Sequence, residues 1–391
     1  MFNTLPQLPP DPILGLIAQF KSDPRPHKID LGVGVYRDEQ GQTPVLDAVK
    51  QAEQRLLNNE TSKAYVGPLG SLQFNDLLAK LTLGETHSQL ENVALVQTPG
   101  GCGALRVAAE LIVRTSPKSR IWVSDPTWGN HVPLLGDAGV TLETYPYYDF
   151  ATHSVRFDEM ISALNANARA GDFVLLHGCC HNPTGADLTQ GQWQAVTDLC
   201  SKKGLIPFID MAYQGFGFSL EEDAFGIRLM CDQLPEVLFV LSCSKNFGLY
   251  RERVGAVAVK SDAKASVSSH IATIVRGIYS MPPSHGASVV AEILADSVLR
   301  KCWEADVTAM RTRIQVMRKK LVDTVNTAGA EGRFNHIARQ QGMFSFLGIS
   351  PEQVNALAEN HAVFMIGSSR ISLAGLNDTN LPVFAQALLK I

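Results

Sequence analysis

Three apolar runs in the middle of the chain each end in groups able to do chemistry. FVLLHG at 173–178 leads into Cys179-Cys180-His181-Asn182-Pro183-Thr184-Gly185, a turn whose Asn182 can present an amide. LIPFID at 205–210 ends on Asp210, with the Tyr213 phenol three residues later. VLFVLS at 237–242 ends on Ser242 and is followed by Lys245, with Arg251 and Arg253 beyond it. Of these, the lysine is the most informative, because desolvation at the end of a buried strand lowers its pKa and frees a neutral amine for Schiff-base chemistry. Spacing leaves that reading open against a lysine that snorkels to water or pairs with a carboxylate. Asp210 is equally open, since a strand-end aspartate can bind a metal, cap the next helix or face a cofactor.

Groups of this kind need a scaffold that brings strand ends together. From residue 93 onward, apolar runs recur at 93–97, 120–124, 141–145, 173–177, 205–210 and 237–242, with stretches of helical spacing at 104–114, 157–168 and 192–202 between most of them. That succession predicts an α/β fold, a mostly parallel sheet between helices with a ligand crevice at the carboxyl ends of the strands. Beyond Ser280 the pattern turns helical, with a long stretch over 284–327, interrupted near Lys301, that runs from one domain into the next. Segments 342–347 and 370–373 read as strands, and 28–36 is expected to join them, so that a smaller domain draws on both chain ends.

Composition narrows the classes. A length of 391 residues suits two or three domains at roughly 150 residues each. With 45% apolar and only 18% charged residues the chain has ample material for burial, which excludes disorder. The net charge of −4 comes from 34 basic and 38 acidic residues, neither gathered into a long run, so neither nucleic acid nor a membrane surface is the expected partner. A small molecule is. The start, MFNTLPQLPPDPIL, has no basic region ahead of an apolar stretch, and no apolar run nears the ~18 residues of a membrane span, so a cytoplasmic location is expected. Cys102, Cys179, Cys180, Cys200, Cys231, Cys243 and Cys302 form no CxxC pair and read as reduced thiols.

Seven motifs in order carry a resemblance that covers almost the whole chain: DPILGL at 11–16, DLGVGVYRDE at 30–39, QTPGGCGALRVAAE at 97–110, HGCCHNPTG at 177–185, DMAYQGF at 210–216, SCSKNFGLYRERVG at 242–255 and SRISLAGLN at 369–377. The sequence resembles the class I pyridoxal-phosphate aminotransferases of the aspartate and aromatic type, nearest to bacterial aromatic-amino-acid aminotransferases. The resemblance implies the fold type I architecture: an arm at 1–10, a large cofactor domain at 44–310 with a seven-stranded, mostly parallel sheet, and a small α+β domain made from 11–43 and 311–391. It implies a homodimer acting on amino acids and 2-oxo acids through pyridoxal 5'-phosphate by a ping-pong route.

Residue by residue, Lys245 matches the lysine that holds the cofactor and moves the Cα proton, and Asp210 the carboxylate that pairs with the pyridine nitrogen. Asn182 and Tyr213 match donors to the cofactor's phenolic oxygen. Gly100, Gly101, Cys102, Ser242, Arg253 and, from the other subunit, Tyr65 match the phosphate contacts; a helix start after a glycine turn suits an anion independently. Trp128 matches the aromatic stacked on the ring, and His131 a partner of the aspartate. For substrate, Arg370 matches the clamp on the α-carboxylate, Arg276 the partner-supplied arginine for a side-chain carboxylate, and Gly34 and Phe344, with Trp128 and Asn182, the pocket lining.

Two departures modify these expectations. Cys102 stands where relatives usually carry Thr or Ser, so weaker phosphate anchoring is expected. SMPP at 280–283 puts Met281 where aspartate-preferring relatives tend to have an amide, which favours aromatic substrates, with aspartate transamination as the alternative. Other readings lack support. His177 and His181 have no third ligand for a metal, no dinucleotide or phosphate-loop fingerprint is complete, and the Ser242-x-x-Lys245 match lacks its SDN and KTG partners. A regulatory protein would need a DNA-binding extension, whereas about ten residues precede DPILGL; β-elimination or decarboxylation would not need both Arg370 and Arg276.

Overall fold

The computed structural model describes residues 2–8 and 12–391; the first residue of DPILGL, Asp11, lies outside them, as do Met1, Pro9 and Pro10. The chain forms two compact units. One comprises Pro44–Arg313 with Gln340–Gly342, the other Met1–Thr43, Ile314–Arg339 and Met343–Ile391.

In the first unit a seven-stranded sheet runs in the spatial order Val93–Pro99, Val254–Lys260, Val237–Ser242, Ile206–Met211, Phe173–His177, Arg120–Asp125, Thr141–Pro146. All neighbours are parallel except Val254–Lys260, which is antiparallel to both of its own. Central strands such as Val237–Ser242 are buried at every position, as apolar β-branched sequences must be when helices cover both faces. Helix Gly100–Thr115 places Ala104, Leu105, Ala108, Leu111 and Ile112 in a core with Val123, Leu175, Phe208, Val240 and Val257. The strand at Val254–Lys260 is absent from the six expected runs, because VGAVAVK is built largely of small residues and follows the polar stretch Arg251-Glu252-Arg253.

The helical stretch breaks at Asp296, earlier than the expected Lys301. Helix His285–Ala295 ends there because Asp296 is extended, and its carboxylate accepts the N–H groups of Val298 and Leu299 at 2.9 Å each, starting helix Ser297–Thr327.

In the second unit Phe344–Phe346 pairs antiparallel with Arg370–Ser372. The early segment was expected to join these two; instead Ile29–Asp30 pairs in parallel with Val363–Phe364, and one further bond, Ser372 N–H to Leu31 O at 2.7 Å, ties the two small sheets. Leu16 packs there with Ala362 and Phe364, so both chain ends share one core. Among the described residues no helix is long and apolar enough to cross a membrane.

Candidate active site

Strand register brings the predicted groups to one edge of the large sheet. His177 pairs with Asp210 across two parallel strands, while Ser242 pairs with Gly255 and Pro99 with Val254 across the antiparallel ones. The turns carrying Asn182, Tyr213, Lys245, Arg253 and Gly100 therefore all leave the sheet at the same edge. Polar groups collect here because parallel strands end their main-chain pairing together.

Asp210 is held from behind. His131 Nε2 lies 3.0 Å from Asp210 Oδ2, Thr127 Oγ1 lies 2.8 Å from His131 Nδ1 and 3.3 Å from His177 Nε2, and the Asn182 N–H reaches His177 Nδ1 at 3.5 Å. An ionised carboxylate only accepts, and a hydroxyl has one proton, so with neutral imidazoles the hydrogen bonds assign themselves in one direction. The Asn182 N–H donates to His177, His177 to Thr127, Thr127 to His131, and His131 to Asp210. Burial pushes the His177 pKa down to about 3 and that of His181 well below the ordinary range, which keeps both neutral. For Asp210, burial is the largest single influence and works against ionisation, but the hydrogen bond from His131 and the favourable electrostatics of the neighbouring groups, Lys245 among them, together outweigh it, and the carboxyl is held below its usual value.

Lys245 sits with its Nζ 5.0 Å from the centre of the buried Tyr213 ring. Burial lowers its pKa, while the Asp210 carboxylate opposes that shift. The residue as a whole is half-buried. Its turn is fixed by Trp303, which stacks on Phe247 at 4.3 Å and donates its indole N–H to Asn246 O at 2.7 Å. Trp128, half-buried, meets His131 edge-on at 5.3 Å.

Beside these lies an anion cradle. Helix Gly100–Thr115 starts after Pro99, which offers no side-chain cap, so its first-turn N–H groups are left for a ligand. The Arg253 guanidinium comes so close that a Cβ on Gly100 would meet its Nη2 at 2.5 Å; with φ +70°, that position needs glycine twice over. Ser242 lies against Gly101, whose added Cβ would stand 3.3 Å from Ser242 Cβ. The half-buried Cys102 adds a thiol to the same turn, 3.9 Å from Asn130 Nδ2. Unsatisfied helix N–H groups, a guanidinium and a hydroxyl make a donor set suited to a phosphate.

Three further predicted residues meet in the second unit. Arg370, 5% exposed, donates to Gly32 O at 2.9 Å and faces the Phe344 ring at 4.2 Å, and a Cβ on Gly34 would lie 2.9 Å from Phe344 Cζ. The Gly32 turn is set by Asp30, which accepts the Gly32 N–H at 3.0 Å and pairs with Arg37 at 2.6 Å. Buried Arg318 donates to Phe344 O at 2.5 Å and Ile337 O at 2.8 Å, holding that strand.

Tyr65 and Arg276 differ from all of these. Tyr65 is 93% exposed, and Arg276 is exposed at the end of helix Lys264–Ile278, its guanidinium bonded to Ser280 one turn on. The supporting residues Thr127, His177, Trp303 and Arg318 were not singled out for these roles by sequence. Hydroxyl, indole and guanidinium groups that work by reaching across the fold leave no local spacing signal; the polar groups in HGCCH at 177–181 were the one available hint.

The class I and II aminotransferase family model matches residues 26–388. The chain is 46% identical to the aspartate aminotransferase of Escherichia coli over 396 aligned positions, with the whole of both chains covered. It is likewise 46% identical to the aromatic-amino-acid aminotransferase of Pseudomonas aeruginosa, covering all of this chain and 98% of that one. Among solved structures, the aromatic-amino-acid aminotransferase of Burkholderia pseudomallei, covalently bound to pyridoxal phosphate, superposes with a TM-score of 0.97 at 41% identity, covering 100% of this chain and 99% of that one. With its sheet edge, its lysine and its anion cradle in place, the chain belongs to the class I and II aminotransferases.

Proposed function

We propose that the protein is a pyridoxal 5'-phosphate-dependent aromatic-amino-acid transaminase. It passes the amino group of phenylalanine, tyrosine or tryptophan to 2-oxoglutarate in two half-reactions and also accepts aspartate and glutamate. The observation that carries the reading is the meeting, at one sheet edge, of a desolvated lysine, a buried ionised aspartate and an anion cradle formed by a helix start, Arg253 and Ser242.

The residues fit the cofactor. Gly100, Gly101, Cys102, Ser242 and Arg253 would hold its phosphate, Asp210 its ring nitrogen, Asn182 and Tyr213 its phenolic oxygen, Trp128 its ring face and Lys245 its aldehyde. When bound, pyridoxal phosphate supplies an electron sink that stabilises negative charge at the substrate's Cα. The chain does the rest. Lys245 Nζ, its proton affinity reduced by burial, takes the Cα proton and would carry it to the cofactor's C4′ position, the shift that transamination requires. Asp210, ionised and oriented by His131, would offer a fixed negative charge to the ring nitrogen, so no reorganisation would be needed as charge develops. Arg370 receives the α-carboxylate in its planar fork, with Phe344 and Gly34 shaping the pocket beside it.

Tyr65 and Arg276 point to a homodimer, since a bare tyrosine and an exposed arginine are what one copy would extend to another's site. Residues 44–310 would then form the cofactor domain, and residues 11–43 with 311–391 the small one. Met281, near Arg276, supports the aromatic preference, because a flexible apolar chain tethers the guanidinium less than an amide would. Aspartate transamination is the second reading, favoured by the same Arg276. The composition and the lack of a membrane-crossing helix among the described residues suit a cytoplasmic enzyme.

The test is the visible absorbance of the cofactor-loaded protein titrated with phenylalanine, and separately aspartate, in the absence of any 2-oxo acid. Conversion of the bound cofactor by both, faster with phenylalanine, is expected. Faster conversion by aspartate would favour the second reading, and no change with either would overturn both.

A further inference from the structure

The two exposed residues sit on segments far apart in sequence, one leading from Tyr65 to Ser71 and one from Arg276 to Pro283. Both are tied to the same side chain. Gln97, on the edge strand Val93–Pro99, is 0% exposed. Its Oε1 accepts the Ser71 N–H at 2.9 Å, and its Nε2 donates to Pro283 O at 2.7 Å. Its main-chain N–H adds a longer bond to Leu69 O at 3.4 Å, and Asn75 Nδ2 secures that carbonyl at 2.9 Å. Gly70 presses on the amide so closely that a Cβ there would meet Oε1 at 2.4 Å.

The two partners demand opposite hydrogen-bonding roles. Ser71 offers a donor, while Pro283, having no N–H, offers only its carbonyl. A side-chain amide satisfies both; a glutamate can only accept, and a methionine of similar length does neither. Outward from this anchor the segments carry apolar and aromatic surface: Tyr65, Val66 and Leu72 on one, Ile278 on the other, all exposed. Such surface, held rigidly from the interior, suits a second copy of the chain.

We propose that Gln97 is a positioning residue that sets, from one buried amide, both segments this chain lends to the site of a second subunit. The inference rests on the dimeric reading above. It makes the phosphate contact at Tyr65 and the carboxylate contact at Arg276 depend on one common anchor.

The test uses the holoenzyme with Gln97→Met and Gln97→Glu. In Gln97→Met, amide hydrogen exchange at Ser71 and across residues 279–284 should quicken together. KM for aspartate should rise about tenfold and cofactor affinity fall about threefold, with kcat for phenylalanine within about twofold of the parent. Gln97→Glu should keep Ser71 protected and loosen only 279–284, raising KM for aspartate while leaving cofactor affinity near the parent value. Unchanged exchange in both variants would overturn the proposal, as would an equal loss on both substrates that tracks the thermal midpoint. Arg276→Ala and Tyr65→Phe separate the underlying reading: if they leave KM for aspartate and cofactor affinity unaltered, the dimeric assignment has failed, whereas effects there without effects at Gln97 would sink the anchor alone.

Discussion

Around Asp210 and around Arg276 the chain places charged groups with comparable chemistry in opposite surroundings. Asp210 is backed by His131, Thr127 and His177 in a directed series of hydrogen bonds with almost no solvent contact. Arg276 stands in water at a helix end, bonded to Ser280 on the same segment. A group that must keep one charge and one orientation is desolvated and tied from several sides, at the cost of a preformed network. A group proposed to meet different side chains is left exposed and bonded within its own segment, which Gln97 holds at Pro283.

That contrast can be broken most sharply at Lys245 in the buried region. Lys245→Ala should lower turnover about 10⁴-fold while the phosphate cradle still retains cofactor, checked by steady-state rates and by ultrafiltration of bound cofactor. Substantial multiple turnover would remove the lysine from the mechanism. Asp210→Asn should slow Cα proton removal about 10³-fold, read as loss of deuterium from Cα-labelled substrate; an unaltered exchange rate would show that a fixed charge there is not needed. On the exposed side, Arg276→Ala should cut kcat/KM for aspartate about 10²-fold and leave phenylalanine within about threefold. Equal losses on the two substrates would erase the distinction between the regions.

Stability against acid provides a smaller test of the buried network. The His177 pKa is about 3 in the fold against 6.5 ordinarily, so below pH 6.5 the unfolded chain takes up a proton that the folded one refuses. Its contribution is fully present above 6.5 and declines as pH falls toward 3, amounting to about 2 kcal/mol between pH 7 and 5. His181 acts in the same direction. Urea midpoints at the two pH values measure this, and a flat profile would mean the network opens at little cost. Smallest of all, Cys102→Thr should tighten cofactor binding about threefold to tenfold by adding one hydroxyl donor to the cradle. Weaker binding would show that the thiol position does not face the anion.

Much of this site was legible before the fold. Asp210 and Lys245 end or closely follow apolar strands, and such strands end together at a crevice, so residue type and position sufficed to single them out. Arg370, Gly34 and Phe344 were reachable only by resemblance, since 336 positions separate Gly34 from Arg370 in the chain. Val254–Lys260 escaped as a strand because small residues give a weak apolar signal, and the helix break was misplaced because an extended aspartate serves as a start only once its carboxylate is seen to accept two N–H groups.

By itself the sequence determined the α/β class, the strand-end groups and the glycine turn that admits an anion, because periodicity and residue chemistry act over a few neighbouring positions. Only the tertiary structure decided the direction of hydrogen bonds from Asn182 to Asp210, the tie of Gln97 to Ser71 and Pro283, and the pairing of Ile29–Asp30 with Val363–Phe364. These depend on donors and acceptors meeting within about 3 Å across long stretches of chain, a condition that no local pattern encodes.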